Sequence, residues 1–223
     1  MVVVGVRFIK KDYMIHVQVK ERSFFANISD GANWKKLENF DYYNHLQAYI
    51  RKHIDYGHPE SINFDDVIAP TDHVVTGIRF RFAEDSFENP KFKSGSIQLQ
   101  IRVTPFDYAK GLVNVEKTHW MAPKEVPIRF PKTLENAMLP TESPGNIVDS
   151  MPNQYVRFRS SDLVEDAGQS TVPFFDAQDV EGKPEFPLGG VGLVHRGWKN
   201  YGGFLAFRIF DVNLSELFKD KSK

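Results

Sequence analysis

The sequence predicts an all-β protein with one short helix, built from three internally repeated antiparallel β units. Three pairs of stretches carry that reading. Val2-Val3-Val4-Gly5-Val6-Arg7-Phe8 is followed by Ile15-His16-Val17-Gln18-Val19-Lys20. Val74-Val75-Thr76-Gly77-Ile78-Arg79-Phe80 is followed by Ile97-Gln98-Leu99-Gln100-Ile101-Arg102-Val103. A weaker copy runs Val191-Gly192-Leu193-Val194-His195-Arg196 and then Phe204-Leu205-Ala206-Phe207-Arg208-Ile209. Apolar and polar residues alternate at the period of a strand. Three such units around one core predict a β-prism-like body, and a β-sandwich is the alternative use of the same strands.

A single domain over residues 1–223 is expected, with units at about 2–40, 62–122 and 172–214. In the first unit Lys10 to Tyr13 reads as the hairpin turn. Gly5 and Gly77 hold the same place in two strands, where glycine marks a bulge or a close backbone approach. Trp34 and Trp120 follow the first two hairpins at similar distances and read as core anchors. Tyr42, Leu46, Tyr49, Ile50 and Ile54 fall on one face at helical spacing, with Asp41 as cap and Gly57 and Pro59 as stop. Phe64-Asp65-Asp66-Val67 leads into the second hairpin and Phe175-Asp176-Ala177-Gln178-Asp179-Val180 into the third. The first unit lacks such a leader, and the third lacks the Trp strand.

Residues 83–95 form a long, charged hairpin tip, a place where function often sits. From 123 to 152 six prolines exclude a central strand or long helix, so this is a crossing segment. Gln154 to Arg159 alternates again, and 161–168 reads as an acidic turn. The charged tail ends the chain.

Twenty-eight basic and 29 acidic side chains give a net charge of −1, so no global field draws nucleic acid. No apolar run is long enough to span a membrane. A 41% hydrophobic content fits an ordinary globular core, and nineteen Phe suggest that Phe fills much of it. With no Cys, disulfides, thiolate metal sites and Cys nucleophiles are excluded. Read alone, the chain suits the cytosol or is a mature fragment without its leader. Asn27 and Asn213 head two glycosylation sequons, which matter only on a secretory route.

The order of motifs resembles the C-terminal β-rich domain of a group of secreted arthropod (mainly insect) proteins of unknown function. The residues concerned are 2–8, Ile15-His16-Val17-Gln18, Asn33-Trp34, 64–66 with 74–80, and Arg102 to Asp107. They continue through Gln169 to Gln178, Pro187 to Leu193 and Tyr201 to Phe204. The resemblance spans essentially the whole chain and implies an extracellular setting. It implies no catalytic residues. Members of that group carry an upstream helical region with cysteines, so the resemblance implies a cut-out domain, a processed product or a free-standing copy.

No phosphate loop, dinucleotide fingerprint, zinc signature or serine elbow is present. His45, His53 and His58 lack metal-ligand spacing. The acids Asp65 with Asp66, and Asp162 with Glu165 and Asp166, read as surface charge rather than a glycosidase pair or a calcium loop. The expectation is a non-catalytic binding module without cofactor or metal, lectin-like, with a glycan or another protein as partner. The candidate loop is Gly197 to Gly203, with Trp198, Lys199, Asn200, Tyr201, Gly202 and Gly203 as contacts and Asp176 and Asp211 beside it. The alternative is a structural or assembly protein, a matrix, coat or particle component that forms homo-oligomers through sheet edges.

Overall fold

A computed structural model describes residues 1–11, 14–24, 31–37, 59–83, 95–107, 110–126, 128–134, 145–164, 167–198 and 202–215. The fold is all-β, in several sheets. The helix expected over 42–54 and the tip at 84–94 lie outside the described residues. The helical element described in full is a 3-10 turn at Val115–Lys117.

Three long hairpins form the body. They are β1 (Val2–Lys11) with β2 (Met14–Arg22), β6 (His73–Phe82) with β7 (Gly95–Asp107), and β17 (Leu188–Gly197) with β18 (Phe204–Asp211). Short strands dress them: β3 (Asn33–Trp34), β4 (Pro59–Phe64), β5 (Asp66–Ile68), β8 (Leu112–Val113), β9 (His119–Met121) and β10 (Phe130–Pro131). Later come β11 (Ile147–Val148), β12 (Gln154–Arg157), β13 (Arg159–Ser160), β14 (Thr171–Val172), β15 (Phe174–Phe175) and β16 (Val180–Glu181). The described parts of the proline-rich segment contribute two-residue strands at sheet edges, β10 beside β12 and β11 beside β17.

Each hairpin slips register once, between Val3 and Gly5, Val75 and Gly77, and Leu188 and Gly190. The slip inserts one residue and turns a spacing of two into three. Val3, Val6 and Phe8 therefore face one core, and so do Val75, Ile78 and Phe80, and Leu188, Val191 and Leu193. The bulge explains why Val2-Val3-Val4 does not alternate: Val2 and Val4 turn into a second cluster with Val74 and Phe106. In the third hairpin the bulge glycine is Gly190, two residues before Gly192. Gly192 answers a different need. A Cβ there would collide with the Asp66 carboxylate, which pairs with Arg208 across the strand.

Phe8, Phe80 and Phe207 stack where the hairpins meet, with Phe8 and Phe207 ring centroids 4.2 Å apart. Around them Val, Ile and Leu supply most of the fully buried volume, so Phe is the centre of the core rather than its bulk. Trp34 and Trp120 are not core anchors. Trp34 is half-buried and Trp120 is 37% exposed. They lie on the outer face under the guanidinium groups of Arg7 and Arg79, 4.1 and 3.9 Å from the ring centroids. Outward alternation from Gly5 and Gly77 puts those arginines there, and each donates to a cross-strand glutamine, Arg7 to Gln18 and Arg79 to Gln100.

The leaders cross between hairpins. β4 runs parallel to β7, then β5 leaves to pair with β17 of the third hairpin. β15 runs parallel to β18, then β16 leaves to pair with β1 of the first. The two leaders match at Asp66-Val67 and Asp179-Val180, which stand opposite Gly192-Val191 and Arg7-Val6, rather than at Phe64 and Phe175.

Candidate functional site

β17 ends at Gly197 and β18 begins at Phe204, so the candidate loop caps the third hairpin. Asp176 follows β15, whose partner residues are Phe204 and Leu205, and so lies at this end. Its carboxylate accepts from the Gln178 amide at 3.0 Å and from Arg196 at 3.3 Å. Trp198 is half-buried against Gly145, where an added Cβ would come within 2.8 Å of its ring. Gly202 and Gly203 are buried. Lys199, Asn200 and Tyr201 lie outside the described residues. Asp211 does not join them. It stands opposite Leu188 at the far end of β18, roughly 20 Å along the strand at its usual rise. There it borders an apolar pocket of about 330 Å³ lined by Phe24, Phe106, Phe186 and Leu214.

The turn is held from beneath by His195, which is wholly buried. Its Nδ1 lies 2.6 Å from Asp149 Oδ1 and its Nε2 lies 3.1 Å from the Gly202 carbonyl. Lys132 reaches the other Asp149 oxygen at 2.8 Å. Burial pushes the Asp149 carboxyl up, but the hydrogen bonds from His195 and Lys132 outweigh it and hold the group below its ordinary value. Ser150 Oγ accepts from the His195 backbone amide, so it is not placed as a nucleophile for the imidazole. Gly203, at φ +52°, closes the turn, and a Cβ there would strike His195 and the Arg196 carbonyl. The arrangement is a bracket that ties Gly202 to β17 and to the proline-rich segment.

The acid pair Asp65-Asp66 separates. Asp65 bonds Arg129 at 2.8 Å and Asp66 bonds Arg208, with Nε to Oδ1 at 2.6 Å. Asp162 caps its own turn by accepting from the Val164 amide, while Glu165 and Asp166 lie outside the described residues. His45, His53 and His58 lie outside them too. Among the described residues no three His, Cys, Asp or Glu side chains gather as metal ligands.

A different site comes from comparing the hairpins. β1 carries β16 on its outer edge and β17 carries β5. Among the described residues no strand pairs with the outer edge of β6. A groove of about 270 Å³ lies there instead, between Thr76, Gly77 and Ile78 of β6 and Val17, Gln18 and Val19 of β2. Lys35, Lys36, Arg102 and Trp120 also line it. The contrast shows in burial. Val6 and Val191 are 0% exposed, whereas their match Ile78 is only half-buried. It shows again at the bulges. A Cβ on Gly5 or Gly190 would meet leader atoms, whereas on Gly77 the nearest atoms among the described residues are those of Arg102 and Trp120. Sequence reasoning missed this groove, although its signal was there: two leaders for three hairpins.

Comparison with protein families, with curated proteins and with solved structures finds no match for this chain. No helix among the described residues is long and apolar enough to cross a membrane.

Proposed function

We propose that the chain is a non-catalytic binding module that works by protein–protein contact, taking up an extended segment on the outer edge of β6. The observation that carries this reading is the groove at Thr76 to Ile78, where matching edges in the other two hairpins hold a strand. Addition of a strand to an exposed edge supplies main-chain hydrogen bonds for affinity and side-chain pockets for selectivity. An edge that pairs with no described strand invites pairing, so it is either used or guarded. The resemblance to secreted arthropod domains supports an extracellular setting. A matrix or particle component would use the same edge.

Hydrogen exchange on the intact chain tests this. The outward amides of β6 exchange much faster than those of β1 and β17, and a panel of extended peptides contains members that slow them. Equal protection of all three edges in the free chain, or a panel that slows none, refutes the reading.

A glycan reading of the Gly197–Gly203 turn stands second, favoured by the aromatic Trp198 beside Asp176. Both side chains already have protein partners. A glycan array without hits, with no loss on Trp198→Ala, removes it.

A further inference from the structure

We infer that the apolar pocket at the end of β18 is a binding site for a small organic cation, an amine carried on a single ring or a short branched chain. The inference goes beyond the strand-capture reading and does not depend on it, since no described residue lines both this pocket and the β6 groove.

Strand register places the pocket where the three hairpins converge. Val3, Val75 and Leu188 match, and their cross-strand partners are Glu21, Val103 and Asp211. Three residues past those partners stand Phe24, Phe106 and Leu214. Just before Val3, Val75 and Leu188 stand Val2, Val74 and Pro187. Of these two matched sets, all but Val2 line the pocket. Phe24 and Leu214 pack against the second core cluster, to which Val74 and Phe106 belong. The third hairpin supplies a Leu where the others supply a Phe, and a cavity of about 330 Å³ remains. That volume suits a small ligand. An apolar cavity of about 150 Å³ holds one benzene ring, so this one takes a ring with a short arm.

The charge of the arm follows from where the match breaks. Val103 is wholly buried, and Glu21 accepts from Lys35 at 3.3 Å. Asp211 is exposed and borders the pocket, and its carboxylate has no partner among the described residues. It is the one charged residue of the described lining. Phe186, 62% exposed, stands at the same opening. A carboxylate and an aromatic face at the mouth of an apolar cavity hold an ammonium group, by a charge-assisted hydrogen bond and by cation–π attraction. Arg22, two residues before Phe24, does not line the pocket, and it donates to the Glu185 carbonyl at 3.1 Å. The turn beside Phe106 adds a further acid, Asp72, whose carbonyl accepts from the Phe106 amide at 2.8 Å. An anionic ligand of the same shape would face these acids.

The experiment titrates the intact chain with 2-phenylethylamine, 2-phenylethanol and 3-phenylpropanoate, followed by calorimetry and amide chemical shifts. Saturable binding of the amine is expected, with shifts centred on Val74, Phe106, Val212 and Leu214. The alcohol binds roughly fivefold or more weakly than the amine, and the propanoate more weakly still. Asp211→Asn lowers the amine to the level of the alcohol and leaves the alcohol unchanged. Leu214→Trp fills the cavity and removes both. The ligand series leaves the chain untouched, so its result stands even where Leu214→Trp fails to fold. No binding of the amine, equal binding of all three ligands, or shifts centred elsewhere overturns the inference. An amine affinity unchanged in Asp211→Asn overturns it too.

Discussion

The first and second hairpins have the same parts and end differently. Both bulge at a glycine, both stack an arginine on a tryptophan, and both bond that arginine to a glutamine across the strand. Only the first has β16 on its edge. One short strand separates a wholly buried Val6 from a half-buried Ile78, and Phe8 at 2% exposure from a half-buried Phe80. The difference teaches that a hairpin's own sequence sets its bulge and its outer face, while its burial is set by a strand from a distant part of the chain.

The largest test is in the aromatic stack. Phe8→Ala is expected to cost about 3–5 kcal/mol, the range for a fully buried Phe, and Phe80→Ala clearly less. Denaturant unfolding of both variants checks the order. Equal losses would mean that Phe80 is as enclosed as Phe8, and the contrast would fail.

Glycine replacement grades the three edges next. A Cβ at Gly190 would sit 2.8 Å from the Val67 carbonyl, at Gly5 3.1 Å from the Glu181 Cβ, and at Gly77 3.3 Å from Arg102. Alanine is expected to destabilise in that order, from about 3 kcal/mol at Gly190 to under about 1 kcal/mol at Gly77. A Gly77→Ala as costly as Gly5→Ala would show the β6 edge to be covered.

The outer faces should respond alike. Trp34→Ala and Trp120→Ala remove the same stacked cation and a similar half-exposed ring, and each is expected to cost about 1 kcal/mol. A twofold spread in melting-temperature shift between them would break the equivalence of the two faces.

The smallest effect is a pH dependence at the edge of the first hairpin. Hydrogen bonds to Glu181 and Glu185 raise Lys20 above 10.5, against the opposing effect of burial. The hydrogen bond from Lys20 lowers Glu185 below 4.5, again against burial. For Glu185 the contribution is present above 4.5 and fades as pH falls through its lower folded value. For Lys20 it is full below 10.5 and fades as pH rises through its higher folded value. The seat of β16 should loosen at both extremes, by under about 1 kcal/mol for so exposed a cluster. Amide chemical shifts along β1 and β6 report it, and a matching acid transition in β6 would contradict the assignment to Lys20 and its glutamates.

Much of this fold was legible. Period-two alternation marked the long hairpin strands, and Gly5 and Gly77 marked bulges, because those signals are local. Gly192 carried no such local signal, because it is a glycine for a tertiary reason, the Asp66–Arg208 pair above it. Trp34 and Trp120 misled because a large ring suggests a core, while the arginine two residues past each bulge turns it into an outer-face platform. Asp211 was grouped with Asp176 by repeat position, although they lie at opposite ends of β18. The exchange of leaders between hairpins was hidden altogether, since nothing in Asp179-Val180-Glu181 says that its partner lies at Gly5 and Val6.

That exchange also orders events at the ribosome. Of the three hairpins, β1 with β2 emerges before the others, yet its edge partner is encoded some 170 residues later, at Val180 and Glu181. At ordinary elongation speeds of roughly 5–20 residues per second the nascent hairpin spends several seconds or more with that edge bare. The first of the three hairpins to be made is thus among the last to be finished, and that interval is when a chaperone or a stray strand has its opening.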